Sequence, residues 1–167
     1  ILEKLKCPAY KIASPEITDI PLIKKIAKTK KTIIISNGLA NLNDLDLAVR
    51  TVKKEKNKNL IVLKCTSAYP TPLQELNLKT IKDINKKFGC LVGFSDHTLG
   101  YDISIHAASS GAVMLEKHVY LKSSKTVDSF FSLNLEDFEI MIKKIRDNEI
   151  ANGNIDYKIT KSSKKNL

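Results

Sequence analysis

Residues 91–100 read LVGFSDHTLG. Leu91, Val92, Gly93 and Phe94 form a short apolar run, and Ser95, Asp96, His97 and Thr98 follow it directly. An apolar run of this length, closed by a polar cluster and a glycine, reads as a strand buried on both faces that ends at a turn. The unit recurs. Tyr10–Ser14, Thr32–Ser36, Ile61–Cys65 and Ala112–Glu116 are runs of the same kind, so five strands are expected.

Helical periodicity fills the gaps. Ile20, Ile23, Ile26 and Ala27 line one face of a first helix, with Lys24, Lys25 and Lys28 on the other. Leu45, Ala48 and Val52 mark a second, with Asn41 or Asn43 as its cap. Leu78, Ile81 and Ile84 mark a third, closed by Phe88-Gly89, and residues 103–108 a fourth. Leu135, Phe138, Met141 and Ile145 mark a fifth, capped by Asn134. Strand and helix alternate five times, which calls for an α/β fold: a parallel sheet with right-handed crossovers. Two architectures satisfy this, a doubly wound sheet and part of a (β/α)8 barrel. An eight-unit barrel takes about 250 residues, so five units take about 155. The patterned region, residues 9–149, fits either. We therefore expect one α/β unit over residues 1–150 and a polar linker over 151–167.

Composition narrows the class. The net charge is +10, yet Arg occurs only at positions 50 and 146, and the lysines are spread over helix faces. A nucleic-acid reader favours the Arg fork and interleaved aromatics, so a solvated surface that attracts small anions is the better reading. No run reaches the roughly 18 apolar residues of a membrane span. Charges run through the first six residues without a small-residue cleavage site, so no secretory leader is expected, and a start at Ile1 suits a piece of a longer chain. Cys7, Cys65 and Cys90 show no CxxC spacing, and a reducing cytoplasmic setting follows.

Polar residues collect where the runs end. They are Ser14-Pro15-Glu16, Ser36-Asn37-Gly38, Thr66-Ser67-Ala68-Tyr69, Ser95-Asp96-His97-Thr98 and Glu116-Lys117-His118. In parallel α/β folds the carboxyl ends of the strands share one face, and ligands bind there. His97 and His118 end consecutive strands, about 4.8 Å apart, so two imidazoles can converge on one divalent ion. The competing reading is a polar network without metal. Glu116 shares a face with His118 and needs a cationic partner, either Lys11 or Lys64. His106 falls inside a helix pattern and reads as structural, Cys65 as a buried thiol, and Asp96 and Thr98 as turn formers.

Six segments in this order, YKIASPEITDIPLI, TIIISNG, LKCTSAYPTP, VGFSDHTLG, LEKHV and VDSFFSL, resemble the N-acetylneuraminate synthase family, the phosphoenolpyruvate-condensing synthases of nonulosonic acids. They span residues 8–149. Ser67 and Lys117 resemble the pseudaminic acid synthase branch; the sialic and legionaminic branches tend to carry Asn and Arg there. The resemblance implies a partial (β/α)8 barrel, strands four to eight with their helices. It implies condensation of phosphoenolpyruvate with the open aldehyde of a 2-acetamido sugar, with a divalent cation, Mn²⁺ or Mg²⁺, as cofactor. His97 and His118 resemble its metal ligands. Lys11, Ser14, Ser36, Ser67 and Ser95 resemble groups that hold phosphoenolpyruvate. Tyr69, Glu16 and Asp128 resemble groups that hold the sugar or move protons, and Glu116 joins Glu16 and Asp128 as a candidate catalytic acid. Asn37 stands where Thr is usual, and Thr126-Val127 where Gly-Pro commonly precedes the Asp. The family's first three βα units and its C-terminal antifreeze-like domain have no counterpart in these residues. In its full-length form the protein is expected to be a homodimer. Two rival readings are a Schiff-base aldolase using Lys11 or Lys64, and a non-catalytic fragment that needs a complementary part.

Overall fold

A computed structural model describes residues 2–124 and 126–166, leaving Ile1, Lys125 (the first residue of the loop 125–129) and Leu167 (the end of the tail) outside the described residues. Five strands, β1 (Ala9–Ile12), β2 (Thr32–Ser36), β3 (Leu60–Cys65), β4 (Leu91–Asp96) and β5 (Leu115–Lys117), form one sheet. Their spatial order is β1-β2-β3-β4-β5 and every pair is parallel. That order decides between the two architectures. A doubly wound sheet reverses its order at a switch point, whereas a barrel adds each strand beside the last. The sheet is a curled half-barrel.

The helices follow the expected pattern, and their ends have local causes. α1 (Ile20–Ala27) starts where the Asp19 carboxylate accepts from the Leu22 N–H at 3.0 Å. α2 (Leu42–Lys54) is capped by Asn41, whose side chain accepts from Asn43 and Asp44 while Asp44 accepts in return from the Asn41 N–H. α3 (Thr80–Phe88) stops at Gly89, which takes the left-handed conformation at φ 60°. α4 (Asp102–Ser109) precedes β5, and α5 (Leu135–Asn152) is capped by Asn134. Helix α5 runs two residues past the expected boundary at 150, and the chain beyond it is exposed. None of the described helices is long and apolar enough to cross a membrane.

Two expectations are corrected. The fifth strand lies at Leu115–Lys117 rather than Ala112–Glu116. Residues 110–112 are used to finish α4, with Ala112 N donating to Ala107 O at 3.0 Å, so the ladder begins later. The strands are also buried on both faces only in part: β4 is buried from Val92 to Asp96 and Leu63 of β3 is sealed, but other positions on the hollow side are not. Alternate residues Ile12, Ile33, Ile35, Val62, Val92 and Phe94 pack under the helices and form the core. The opposite set faces the hollow of the half-barrel, where Ile34 and Ile61 are half-buried and Leu91 is exposed. Five strands curl without closing, so the hollow side is covered only in part. A short parallel pair, β6 (Val119–Tyr120) with β7 (Leu133–Asn134), continues the chain past β5; Leu133 N donates to His118 O at 2.9 Å.

Candidate active site

Side chains alternate along a strand, so the polar residues at the strand ends divide between two faces. Lys11, Ser14, Ser36, Ser67, Tyr69, Ser95, His97, Glu116 and His118 line one hollow of about 410 Å³ at the carboxyl ends of the strands. Nine of the eleven expected site residues therefore converge. Glu16 and Asp128 do not line it. Glu16 is exposed on the short 3₁₀ turn after β1, and Asp128 is exposed on another after β6. The Asp128 charge still acts on Tyr69 and His118.

The hollow has a connected polar floor. Ser95 Oγ donates to Glu116 Oε1 at 2.8 Å, and Glu116 Oε2 lies 3.4 Å from Lys11 Nζ. Lys11, not Lys64, is thus the partner of Glu116. Lys64 leaves β3 on the opposite face and lines a different hollow. That placement removes Lys64 from the Schiff-base reading.

The two histidines are held differently. His97 Nδ1 lies 2.9 Å from the Thr66 carbonyl, which places its proton there and leaves Nε2 as a lone pair, 3.5 Å from Ser95 Oγ. The His118 ring is held by packing. It meets Phe131 at 4.9 Å and His97 at 5.4 Å between ring centres, while Tyr69 stacks on His97 at 4.2 Å. Burial pulls His97 towards the neutral form, but hydrogen bonding to Cys65 and the Thr66 carbonyl outweighs it and lifts His97 above the usual imidazole range. Cys65 shows the mirror image: burial raises its thiol, and the polar side chains of His97, Ser14 and Ser95 beside it carry it below the usual range. His118 is lowered, first by burial and then by the charge of His97.

Three features escaped the sequence reading. Cys65 lines the hollow and touches His97; its signal was parity, two residues before Ser67. Phe131 is buried against Tyr69 and His118, although it lies more than ten residues further along the chain. Gly38 lies behind one wall: its N–H donates to Ser14 Oγ at 2.9 Å. A Cβ there would stand 2.8 Å from Cys65 Sγ, 2.9 Å from Ser14 Oγ and within overlap of Ser67 Oγ. Only glycine lets those three side chains meet.

The residues present suit an oxyanion and a cation. Ser36 Oγ is buried without a hydrogen-bond partner among the described residues, a position that calls for an oxygen from outside the chain. Two imidazoles on one hollow, one with its tautomer fixed by a backbone carbonyl, are donors fit for a divalent ion. Among the described residues, no group of three or more His, Cys, Asp and Glu side chains is placed to hold a metal unaided.

A model of the NeuB family matches residues 1–157. The chain is 42% identical to the pseudaminic acid synthase of Helicobacter pylori over 154 residues, covering 92% of this chain and 45% of that protein. It is 44% identical over 146 residues to the pseudaminic acid synthase of Campylobacter jejuni serotype O:23/36, covering 87% and 43%. It is 39% identical over 170 residues to the N,N'-diacetyllegionaminic acid synthase of C. jejuni serotype O:2, covering 100% and 51%. Among solved structures, the sialic acid synthetase of Leptospira borgpetersenii in complex with citrate superposes with a TM-score of 0.89 at 27% identity, covering 99% of this chain and 58% of that one. A DAHP synthase of Thermotoga maritima shares the fold, with a TM-score of 0.75 at 16% identity, over 88% of this chain and 46% of that one. The chain spans about half the length of the curated relatives it matches.

Proposed function

The chain belongs to the NeuB family, and on that premise we propose that it is the substrate-binding part of a nonulosonic acid synthase barrel. The reaction joins carbon 3 of phosphoenolpyruvate to the aldehyde carbon of a 2-acetamido sugar. Water adds at carbon 2, a proton reaches the former aldehyde oxygen, and phosphate leaves. The observation that carries this reading is the convergence of Lys11, four serines, Glu116 and two imidazoles on one hollow.

Phosphoenolpyruvate is anionic, and Lys11 with the hydroxyls of Ser14, Ser36, Ser67 and Ser95 forms a cradle of donors for it. Gly38 N–H fixes Ser14 as an acceptor on one side, so its own proton is free to turn to the ligand. Glu116, held between Lys11 and Ser95, carries protons at the floor. Tyr69 offers a ring face and a hydroxyl to the sugar, and Asp128, whose charge reaches Tyr69 and His118, takes a sugar hydroxyl, with Glu16 as a further acid outside the hollow. His97 and His118 would hold a divalent cation, Mn²⁺ or Mg²⁺, which when bound would supply Lewis-acid polarisation of the aldehyde carbonyl.

The pseudaminic branch is favoured by 42–44% identity to pseudaminic acid synthases against 36–39% to legionaminic acid synthases. Ser67 and Lys117 point the same way. A cytoplasmic homodimer is the setting that suits this activity.

The test is phosphate release from phosphoenolpyruvate and a 2-acetamido sugar, with and without Mn²⁺. It is run on this chain alone and on this chain joined to the N-terminal half of a relative. Release that needs both substrates and the cation is the expected result. No release from the joined protein, or a borohydride-trapped adduct on Lys11, overturns the proposal.

A further inference from the structure

We propose that a second hollow, on the far side of β3 from the first, binds a small organic anion of about sugar size and is coupled to the first through Asn37 and Gly38. This hollow measures about 440 Å³, on the scale of the candidate active site. Asn37, Leu42 and Leu45 form one wall, Thr80, Asp83 and Ile84 the other, and Lys64 lies between them.

Lys64 is the reason for the assignment. Strand positions that face the helices are otherwise apolar and packed, as Ile33, Ile35, Val62 and Phe94 show. Three charged residues break that pattern: Lys64, Asp96 and Lys117. Lys117, on β5, has a counter-ion inside the fold: Asp96 lies 3.0 Å away. Lys64 has none. Its ammonium donates only to neutral oxygens, the Cys65 carbonyl at 2.8 Å and Thr66 Oγ1 at 3.2 Å, and no described carboxylate lies within ion-pair reach. Asp83 lines the same hollow but is paired with Lys87 at 3.2 Å. A half-buried ammonium beside an open hollow lacks a counter-ion, and an anionic ligand supplies it. Burial already weakens the hold of Lys64 on its proton, which an anion would restore. The apolar wall of Leu42, Leu45 and Ile84 suits the carbon body of such a molecule, and Asn37 and Thr80 suit its hydroxyls.

The partition between the two hollows is one residue thick. Asn37 Oδ1 accepts from the Cys65 N–H at 3.0 Å, and the next residue, Gly38, holds Ser14 Oγ. A ligand that draws on Asn37 therefore reaches Ser14 through one peptide unit.

The experiment is a ¹⁵N-amide NMR titration of the chain with glucuronate, with glucose 6-phosphate, and with glucose as the neutral control. The expected result is saturable shifts at Lys64, Thr66 and Thr80 with one or both anions and none with glucose. The anion that saturates identifies the ligand as a carboxylate or a phosphate ester. Gly38 should shift with the same midpoint. Lys64→Met should weaken binding about tenfold or more, the scale of a lost charge-assisted hydrogen bond, while Ser36→Ala leaves it unchanged. Thr80→Phe, which fills the hollow and keeps Lys64, should abolish the shifts even if Lys64→Met does not fold. Shifts confined to the surroundings of Ser14, Ser36 and Ser95, unchanged binding in both variants, or no saturation overturns the site. A still Gly38 amide overturns the coupling.

Discussion

Ser95 and His97 leave β4 on one side and Asp96 and Thr98 on the other. The two sides were built to different ends. On the helix side Asp96 is fully buried and accepts from Thr98 N and Thr98 Oγ1 at 2.8 Å, Ser104 Oγ at 2.6 Å and Lys117 Nζ at 3.0 Å. Lys117 in turn donates to Thr98 O at 2.5 Å. Asp96 and Lys117 are each matched inside the fold, and their network ties β4, β5 and α4 together. On the hollow side, among the described residues, Ser36 Oγ has no partner, the Lys11–Glu116 contact is looser at 3.4 Å, and the ring of His118 is held by packing. A closed polar network stabilises a structure; an open one is completed by a ligand.

Substitutions separate the two. Lys117→Met removes one member of a buried ion pair and leaves Asp96 charged without its counter-ion. We expect a loss of about 3–5 kcal/mol in denaturant unfolding; a loss under about 1 kcal/mol would mean the network is not the tie described. Gly38→Ala pushes a methyl group against Ser14, Cys65 and Ser67. Displacing positioned groups by about 1 Å costs roughly hundredfold in rate. We expect that loss in kcat/KM for phosphate release with the fold retained, and full turnover would show that the three side chains move aside freely. Ser36→Ala should be the mildest for folding. The hydroxyl has no partner to lose, so stability should stay within about 1 kcal/mol or rise, while affinity for phosphoenolpyruvate falls. A stability loss comparable to that of Lys117→Met would erase the contrast between the two faces.

Much of this was legible in the chain. The five strands, the five helices and the caps at Asn41 and Asn134 follow from periodicity and from side chains that satisfy free N–H groups at helix starts. The polar strand ends marked the face that carries the candidate site, and Ser95, His97, Glu116 and His118 line one hollow there. What was missed depends on strand parity and distance. Glu116-Lys117-His118 read as one cluster, yet Lys117 turns away to Asp96. Asp96 and Thr98 read as turn formers, yet they hold a buried cation. The fifth strand was placed three residues early because the end of α4 competes for residues 110–112.

The sequence by itself determined the alternation of strand and helix, since apolar spacing and capping act over a few residues. It also placed most of the candidate site residues at strand ends. Only the tertiary structure decided the order of the strands, and with it a half-barrel over a doubly wound sheet. It also decided which polar side chains face the hollow and which are sealed beneath the helices. Those outcomes depend on register and curl between segments 20 or more residues apart, where ladder pairing and the packing of helices on one face select among arrangements that local pattern leaves equal.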